Sequence, residues 1–149
     1  MTNLEIMNFD LGKKYNLFHH SNKDINKVID LISFEDCDVV FLQGTNALFK
    51  ELGDNLDYTF YVGNRTNTAT LVKPSIEVIS DTSYYGVSDV MIGSYEGEKI
   101  AFINTNLKTG YAVNDLVKAL DKYTDLRNSS YMENIILAGN FPKEQIESY

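Results

Sequence analysis

The chain has a single cysteine, Cys37, so no internal disulfide can form, and a lone thiol fits a reducing compartment. Basic residues are scarce: 13 Lys and Arg stand against 21 Asp and Glu, a formal net charge of −8. Nucleic-acid binders carry a basic stripe that displaces counterions from phosphates. Here Lys13-Lys14 is the only adjacent basic pair, so broad, charge-driven nucleic-acid binding is not expected. No apolar run approaches the roughly 20 residues that span a bilayer. The opening Met1-Thr2-Asn3-Leu4-Glu5 lacks the basic and apolar sections of a secretory signal. These absences lead to the expectation of a cytoplasmic protein that does not associate with membranes. Tryptophan is absent, and no internal repeat, low-complexity tract or linker interrupts the chain.

What is present is enough for one globular domain over residues 1–149. Hydrophobic residues make up 44% and charged residues 23%, which excludes disorder. A chain this long buries about 68–70% of its unfolded surface.

Leu4 to Leu11 alternates with both faces largely apolar at its start, as in a central strand. Ser21 with Asp24 marks a helix start, and Ile25, Val28, Ile29 and Ile32 follow at amphipathic spacing. Val39–Leu42 is a short continuous apolar run, which suits a strand buried on both faces. The three form a β-α-β unit with parallel strands and a right-handed crossover. Asn46 to Leu52, closed by Gly53, reads as a short helix. The period then changes to two, giving strands at Tyr58–Val62, Ala69–Lys73, Ser75–Ser80, Val87–Ser94 and Lys99–Asn106. Pro74 turns the chain between the second and third, and Tyr95-Glu96-Gly97-Glu98 is a hairpin loop. A helix over Val113–Arg127 and a strand over Ile135–Ala138 complete the order. The pattern implies a mixed sheet, or two sheets with helices outside.

Few isolated residues stand out as chemistry. His19-His20 are adjacent, and consecutive residues seldom point at one metal, so they read as a solvated loop. Cys37 has no histidine partner and reads as a buried structural thiol. Gly86, Gly93, Gly97 and Gly110 form no phosphate-cradling pattern. Tyr84-Tyr85, Tyr95 and Tyr111 offer an aromatic contact surface, but ten tyrosines fit ordinary strand packing.

Four segments in register resemble the endonuclease/exonuclease/phosphatase (deoxyribonuclease I-like) superfamily. Leu4-Glu5-Ile6-Met7-Asn8-Phe9-Asp10 is similar to its opening strand, with Asp10 at the position of a catalytic Asn. Cys37-Asp38-Val39-Val40-Phe41-Leu42-Gln43-Gly44 resembles its second strand, with Gly44 in place of a metal-binding Glu. Thr105-Asn106-Leu107 is similar to its T-H-L element, so Asn106 replaces His. Gly139-Asn140-Phe141-Pro142 is similar to its G-D-F-N corner, so Asn140 replaces Asp and Pro142 replaces Asn. The family's S-D-H element beyond that corner has no counterpart before the chain ends. The resemblance implies a mixed α/β fold, a β-sandwich flanked by helices, incomplete at the C-terminus.

The family's chemistry, as the resemblance implies it, uses Mg²⁺ held by carboxylates and an Asp/His pair that orients water and phosphate. Mg²⁺ sheds its water shell reluctantly and relies on charged oxygen ligands. Gly44 offers no side chain, and Asn140 is shaped like Asp but neutral. Asn106 cannot act as an acid–base group near pH 7, a role typically worth about 10²–10⁴ in rate. Pro142 removes an amide and a backbone donor together. Asp10 adds a charge and, with Asn140, is the one weak candidate for holding a cation; the reading preferred here has it capping a turn or pairing with Lys13 or Lys14.

The expectation is a catalytically inactive relative that works as a binding or regulatory protein without a cofactor, its open sheet edge covered by a homodimer or protein partner. One alternative is a Mg-dependent phosphodiesterase or nuclease with a site rearranged around Asp10. The other is an acidic protein that blocks a basic groove of a partner.

Overall fold

Alternation along the strands decides which residues meet between the layers. The computed structural model describes residues 3–11, 22–84, 88–107 and 134–140. In chain order the elements are β1 (Ile6–Asp10), α1 (Asn22–Glu35), β2 (Val39–Gln43), α2 (Asn46–Gly53), β3 (Thr59–Val62) and β4 (Thr68–Val72). They continue with β5 (Glu77–Tyr84), β6 (Ser88–Tyr95), β7 (Glu98–Asn106) and β8 (Asn134–Asn140). Among the described residues they form two four-stranded sheets, ordered β1-β2-β4-β3 and β5-β6-β7-β8. Of the two arrangements the sequence left open, the chain adopts the two-sheet one. Each sheet is mixed: β1 runs parallel to β2 and β7 parallel to β8, while the other pairings are antiparallel.

The first sheet has two faces of different use. Val40, Leu42, Ala69 and Leu71 pack with Ile25, Val28 and Ile32 of α1 and with Leu48, Phe49 and Leu52 of α2. Its other face sends Val39, Phe41 and Val72 against Met91, Ile100 and Phe102 of the second sheet. Phe41 and Phe102 meet at 6.3 Å between ring centroids, tilted by 41°, a distance at which aromatic pairs attract.

Several boundaries differ from the sequence reading, each for a local reason. The strand expected at Ser75–Ser80 is β5, Glu77–Tyr84; its last four residues carry no apolar alternation, yet they pair with β6 through Asp81↔Met91 and Ser83↔Asp89. A bulge between Val78 and Ser80 shifts the register. The α2 helix begins at the N-cap Thr45, whose Oγ1 accepts from the Leu48 amide at 3.4 Å. Gly53 belongs to that helix rather than closing it in a left-handed cap, and the ending falls on Asp54 in right-handed geometry. The β6–β7 hairpin turns on Glu96 and Gly97, both at positive φ, which fits the twist of the flanking strands.

Among the described residues, β1 pairs only with β2 and β8 only with β7, leaving an edge on each. No described helix is long and apolar enough to cross a membrane. The expected helix at Val113–Arg127 lies outside the described residues, as do Lys13, Lys14, His19, His20, Tyr85, Gly86, Gly110, Tyr111 and Pro142.

Candidate functional site

The inter-sheet layer is apolar at one end and polar at the other, and the change occurs within single strands. On β2 the inward residues run Val39, Phe41, Gln43; on β7 they run Ile100, Phe102, Asn104. On β4 Val72 gives way to Thr70 and Thr68, paired with Phe41 and Gln43. Gln43, Thr68, Thr70, Asp89 and Asn104 are all buried. A buried polar group needs a partner, and here the partners lie across the layer.

Gln43 is the hub. Its Nε2 donates to Asn8 Oδ1 and to Asn104 Oδ1, both at 2.8 Å, which uses both N–H groups. Asn104 Nδ2 faces the Leu42 carbonyl at 3.2 Å, the Ala69 carbonyl at 3.0 Å and Thr70 Oγ1 at 3.3 Å. The second sheet is thereby tied to two strands of the first. Gln43 Oε1 is buried without a partner.

The strand tips carry the residues picked out by the resemblance. Asp10 sits opposite Gln43 in the β1–β2 register, on the face of β1 that also presents Asn8. Asn8 Nδ2 donates to the Gly139 carbonyl at 3.4 Å, joining β1 to β8. Asn106 and Asn140 are register partners, and Asn140 Nδ2 approaches Asn106 Oδ1 at 3.5 Å. Asn67 in the β3–β4 loop joins two of these positions: its carbonyl accepts from the Gly44 amide at 3.0 Å and from Asn106 Nδ2 at 3.3 Å. Gly44, Asn106 and Asn140 therefore converge at one end of the sandwich, with Asp10 at the neighbouring tip.

Two glycines shape this end in different ways. Gly139 has φ 146, and a Cβ there would lie 1.9 Å from the Thr105 carbonyl oxygen, so no side chain fits. Gly44 has no such backbone constraint. A Cβ on Gly44 would meet Leu11 Cβ and Cδ1 at 3.1 Å. The buried Leu11 thus lies against the position where the resemblance implies a carboxylate.

Asn8, Gln43, Asn104 and Asp89 were not picked out as site residues from the sequence. Asn8 and Gln43 lie inside motifs whose likeness rests on the neighbouring Asp10 and Gly44. For Asn104 the available signal was the alternation Ile100, Phe102, Asn104, which places a polar side chain in an apolar row. Asp89 is 1% exposed, and burial first, then the neighbouring Asp81 carboxylate, pushes its carboxyl up to about 8. Ser83 Oγ donates to Asp89 Oδ1 at 2.7 Å and opposes that rise.

Cys37 is buried, its Sγ 3.9 Å from the Glu35 carbonyl, and burial raises its pKa above the ordinary thiol value. That fits a structural thiol. A cavity of about 290 Å³ lined by Asp36, Tyr58, Lys73 and neighbours lies at the other end of the first sheet, away from the tips. There Lys73 Nζ pairs with Asp36 at 2.6 Å.

Among the described residues, no three His, Cys, Asp or Glu side chains are grouped to hold a metal ion. The described donors at the tips are one carboxylate, Asp10, and the neutral amides Asn8, Asn106 and Asn140. Mg²⁺ is held through charged carboxylate oxygens, so this donor set does not fit the metal that the resemblance implies.

No protein-family model matches the chain, and no curated protein matches it. Solved structures do. TDP2 from C. elegans superposes with a TM-score of 0.74 at 18% identity, over 95% of this chain and 49% of that one. The human Nocturnin catalytic domain with bound sulfate gives 0.68 at 14% identity, over 98% of this chain and 68% of that one. The mannosyl-6-phosphatase Bt3783 of Bacteroides thetaiotaomicron gives 0.68 at 14% identity, over 91% and 63%. All three have endonuclease/exonuclease/phosphatase-type folds, and this chain shares that fold. It spans from about half to two thirds of their length.

Proposed function

We propose that this chain is a binding or regulatory protein that uses a phosphoesterase-type fold to recognise a phosphate-bearing ligand without cutting it. The observation that carries this reading is the chemistry of the converging tips: among the described residues, a glycine and three amides, with Asp10 the one carboxylate. Hydrolysis of a phosphate ester needs a group that moves a proton and charge that offsets the developing oxyanion. Amides supply neither. They do supply donors: among the described residues, Asn8, Asn106 and Asn140 each direct one N–H to an acceptor, and an amide nitrogen carries two. The remaining N–H groups suit an oxyanion, and the Nocturnin neighbour holds a sulfate.

The charge of −8 restricts the ligand class. Polynucleotides bind through many basic contacts to successive phosphates, so a small phosphate-bearing molecule fits this chain better. Titration calorimetry with sugar phosphates, mononucleotides and inorganic phosphate tests the proposal. Saturable binding that weakens in Asn106→Ala supports it. Absence of binding to every member of the panel contradicts it.

Asp10 favours a second reading, in which a rearranged site still hydrolyses a phosphate ester with Mg²⁺. Asp10→Asn separates the two. On the binding reading the substitution removes a repelling charge and tightens the anion. On the enzyme reading it abolishes turnover.

A further inference from the structure

Among the described residues, two buried side-chain oxygens accept no hydrogen bond, Gln43 Oε1 and Asp89 Oδ2. Buried polar atoms of this kind are few in folded proteins and call for an explanation. The two share their neighbours. Gln43 Nε2 is committed to Asn8 on β1 and Asn104 on β7. The oxygen on the other side of its amide carbon therefore faces β4, where Thr68 is the register partner. Asp89, on β6, is the register partner of the same Asn104. It meets Thr68 beside Gly63, the first residue of the β3–β4 loop (63–67). A Cβ on Gly63 would run into Thr66 Oγ1 and fall 2.7 Å from Thr68 Oγ1 and 3.2 Å from Asp89 Cβ. Gly63 has no left-handed backbone that requires glycine, so what it supplies is room for the two hydroxyls beside the acid. Those hydroxyls lie 2.7 Å apart. One proton is spent between them, and each oxygen keeps a lone pair.

The cluster is rich in oxygen and poor in positive charge. Asp89 is buried, and among the described residues no Lys or Arg is buried with it. From β5 it faces the Asp81 carboxylate and Ser83, which donates to Oδ1 at 2.7 Å and favours the ionised form. From β7 it faces the neutral Asn104, and from β4 and the loop Thr68 and Thr66; Arg65 of the loop is exposed. A single donor leaves most of a buried carboxylate's charge uncompensated. The arrangement calls for one positive charge that takes oxygen ligands.

We propose that the polar end of the inter-sheet layer binds one monovalent metal cation, sodium or potassium, through Asp89 and the oxygens of Gln43, Thr66 and Thr68. One carboxylate balances one charge. Divalent ions of this hard type are held by several charged oxygens, and no described group of three acidic, His or Cys side chains exists to supply them. The site lies beneath the strand tips. Asn67, at the end of the same loop, holds the Gly44 amide and the Asn106 side chain through its carbonyl. The ion thus ties β2, β4 and β6 to the loop that shapes the tips, and it does so whether or not the tips take a phosphate. A proton is its competitor. Without a cation, burial pushes the Asp89 carboxyl up to about 8, so the ion replaces the proton as the pH rises.

The test is thermal unfolding of the full chain in sodium, potassium and choline chloride at equal ionic strength, at pH 5 and pH 9. A ligand that binds only the folded chain raises its melting point with concentration. At pH 9 the expected midpoint is about 2–4 °C higher in sodium or potassium than in choline, and it rises with the logarithm of metal-ion concentration. At pH 5 the difference shrinks, because the proton occupies the carboxyl. Asp89→Asn removes the preference for the metal ions. Thr68→Val, which keeps the shape and drops an oxygen, weakens it. If Asp89→Asn does not fold, the wild-type series and Thr68→Val still decide. Equal midpoints in the three salts at pH 9 overturn the proposal and leave water or a proton against the two oxygens. A preference that survives in Asp89→Asn, or is unchanged in Thr68→Val, overturns it as well, by placing the ion elsewhere.

Discussion

Gln43 Nε2 and Asn104 Oδ1 stand 2.8 Å apart, a buried bond between the two sheets at the polar end of a layer whose other end is apolar. It lies where the inter-sheet layer changes from hydrocarbon to amide. Removing one partner strands the other, which costs about 1–3 kcal/mol for a buried neutral group. Asn104→Leu is expected to lose at least that much in urea unfolding, since it also leaves the Gln43 donor unmet. Adding Gln43→Leu to Asn104→Leu is expected to cost less than the sum of the two single changes, because neither member of the pair is then left facing a missing partner.

Gly139 and Gly97 form a controlled pair. Gly139→Ala places a Cβ 1.9 Å from the Thr105 carbonyl oxygen and breaks the β7–β8 pairing beside Asn140. The expected loss exceeds about 4 kcal/mol, in the range of exceptional single changes. Gly97→Ala meets nothing within 4 Å and bears only its left-handed φ of 84, a cost of about 1–2 kcal/mol. Thermal unfolding followed by circular dichroism checks both.

Gly44→Glu asks whether the position still accepts a carboxylate. Its backbone does not require glycine, but Leu11 must give by a few tenths of an ångström. Crowding of this kind costs about 1–3 kcal/mol. The variant is expected to fold with reduced stability and to remain inactive, because Asn106 still cannot move a proton. Adding Leu11→Ala is expected to recover none of the catalytic function, only the space.

Asp89 makes stability depend on pH in a definite direction. Its folded-state value, about 8, lies above the ordinary 3.8 of an unfolded Asp. Between those values the folded chain keeps a proton that the unfolded chain has released. Stability relative to Asp89→Asn is therefore greatest below about pH 4, declines as pH rises, and levels off above about pH 8. The slope within that window approaches about 1.4 kcal/mol per pH unit. Urea unfolding of both proteins at pH 5, 7 and 9 measures it.

Much of the sandwich is legible in the residues, and the reasons differ by strand. Val39–Leu42 and Ile100–Ile103 are continuous apolar runs and locate β2 and β7 at once. The end of β5 is not legible: Asp81, Thr82 and Ser83 look like a polar loop, and only pairing with β6 makes them a strand. That extension holds Ser83, which donates to Asp89, so the surroundings of the buried carboxyl are not legible either. Gly44, Asn106 and Asn140 could be placed from motif likeness. The joint hold of the Asn67 carbonyl on Gly44 and Asn106 could not, because it rests on a left-handed residue in a loop without an apolar period. Asn8 and Gln43 show the same gap: a motif locates a strand, but it does not say which side chain crosses to the other sheet.

The central claim is that the strand tips hold no competent acid, base or carboxylate cage. It is tested most directly by incubating the purified chain with millimolar Mg²⁺ or Mn²⁺ and bis-nitrophenyl phosphate, nitrophenyl phosphate, sugar phosphates and single-stranded DNA. The expected result is product formation no faster than in buffer with the same metal, for wild type and Asp10→Ala alike. Turnover of any of these esters above that background, lost in Asp10→Ala, would contradict the account.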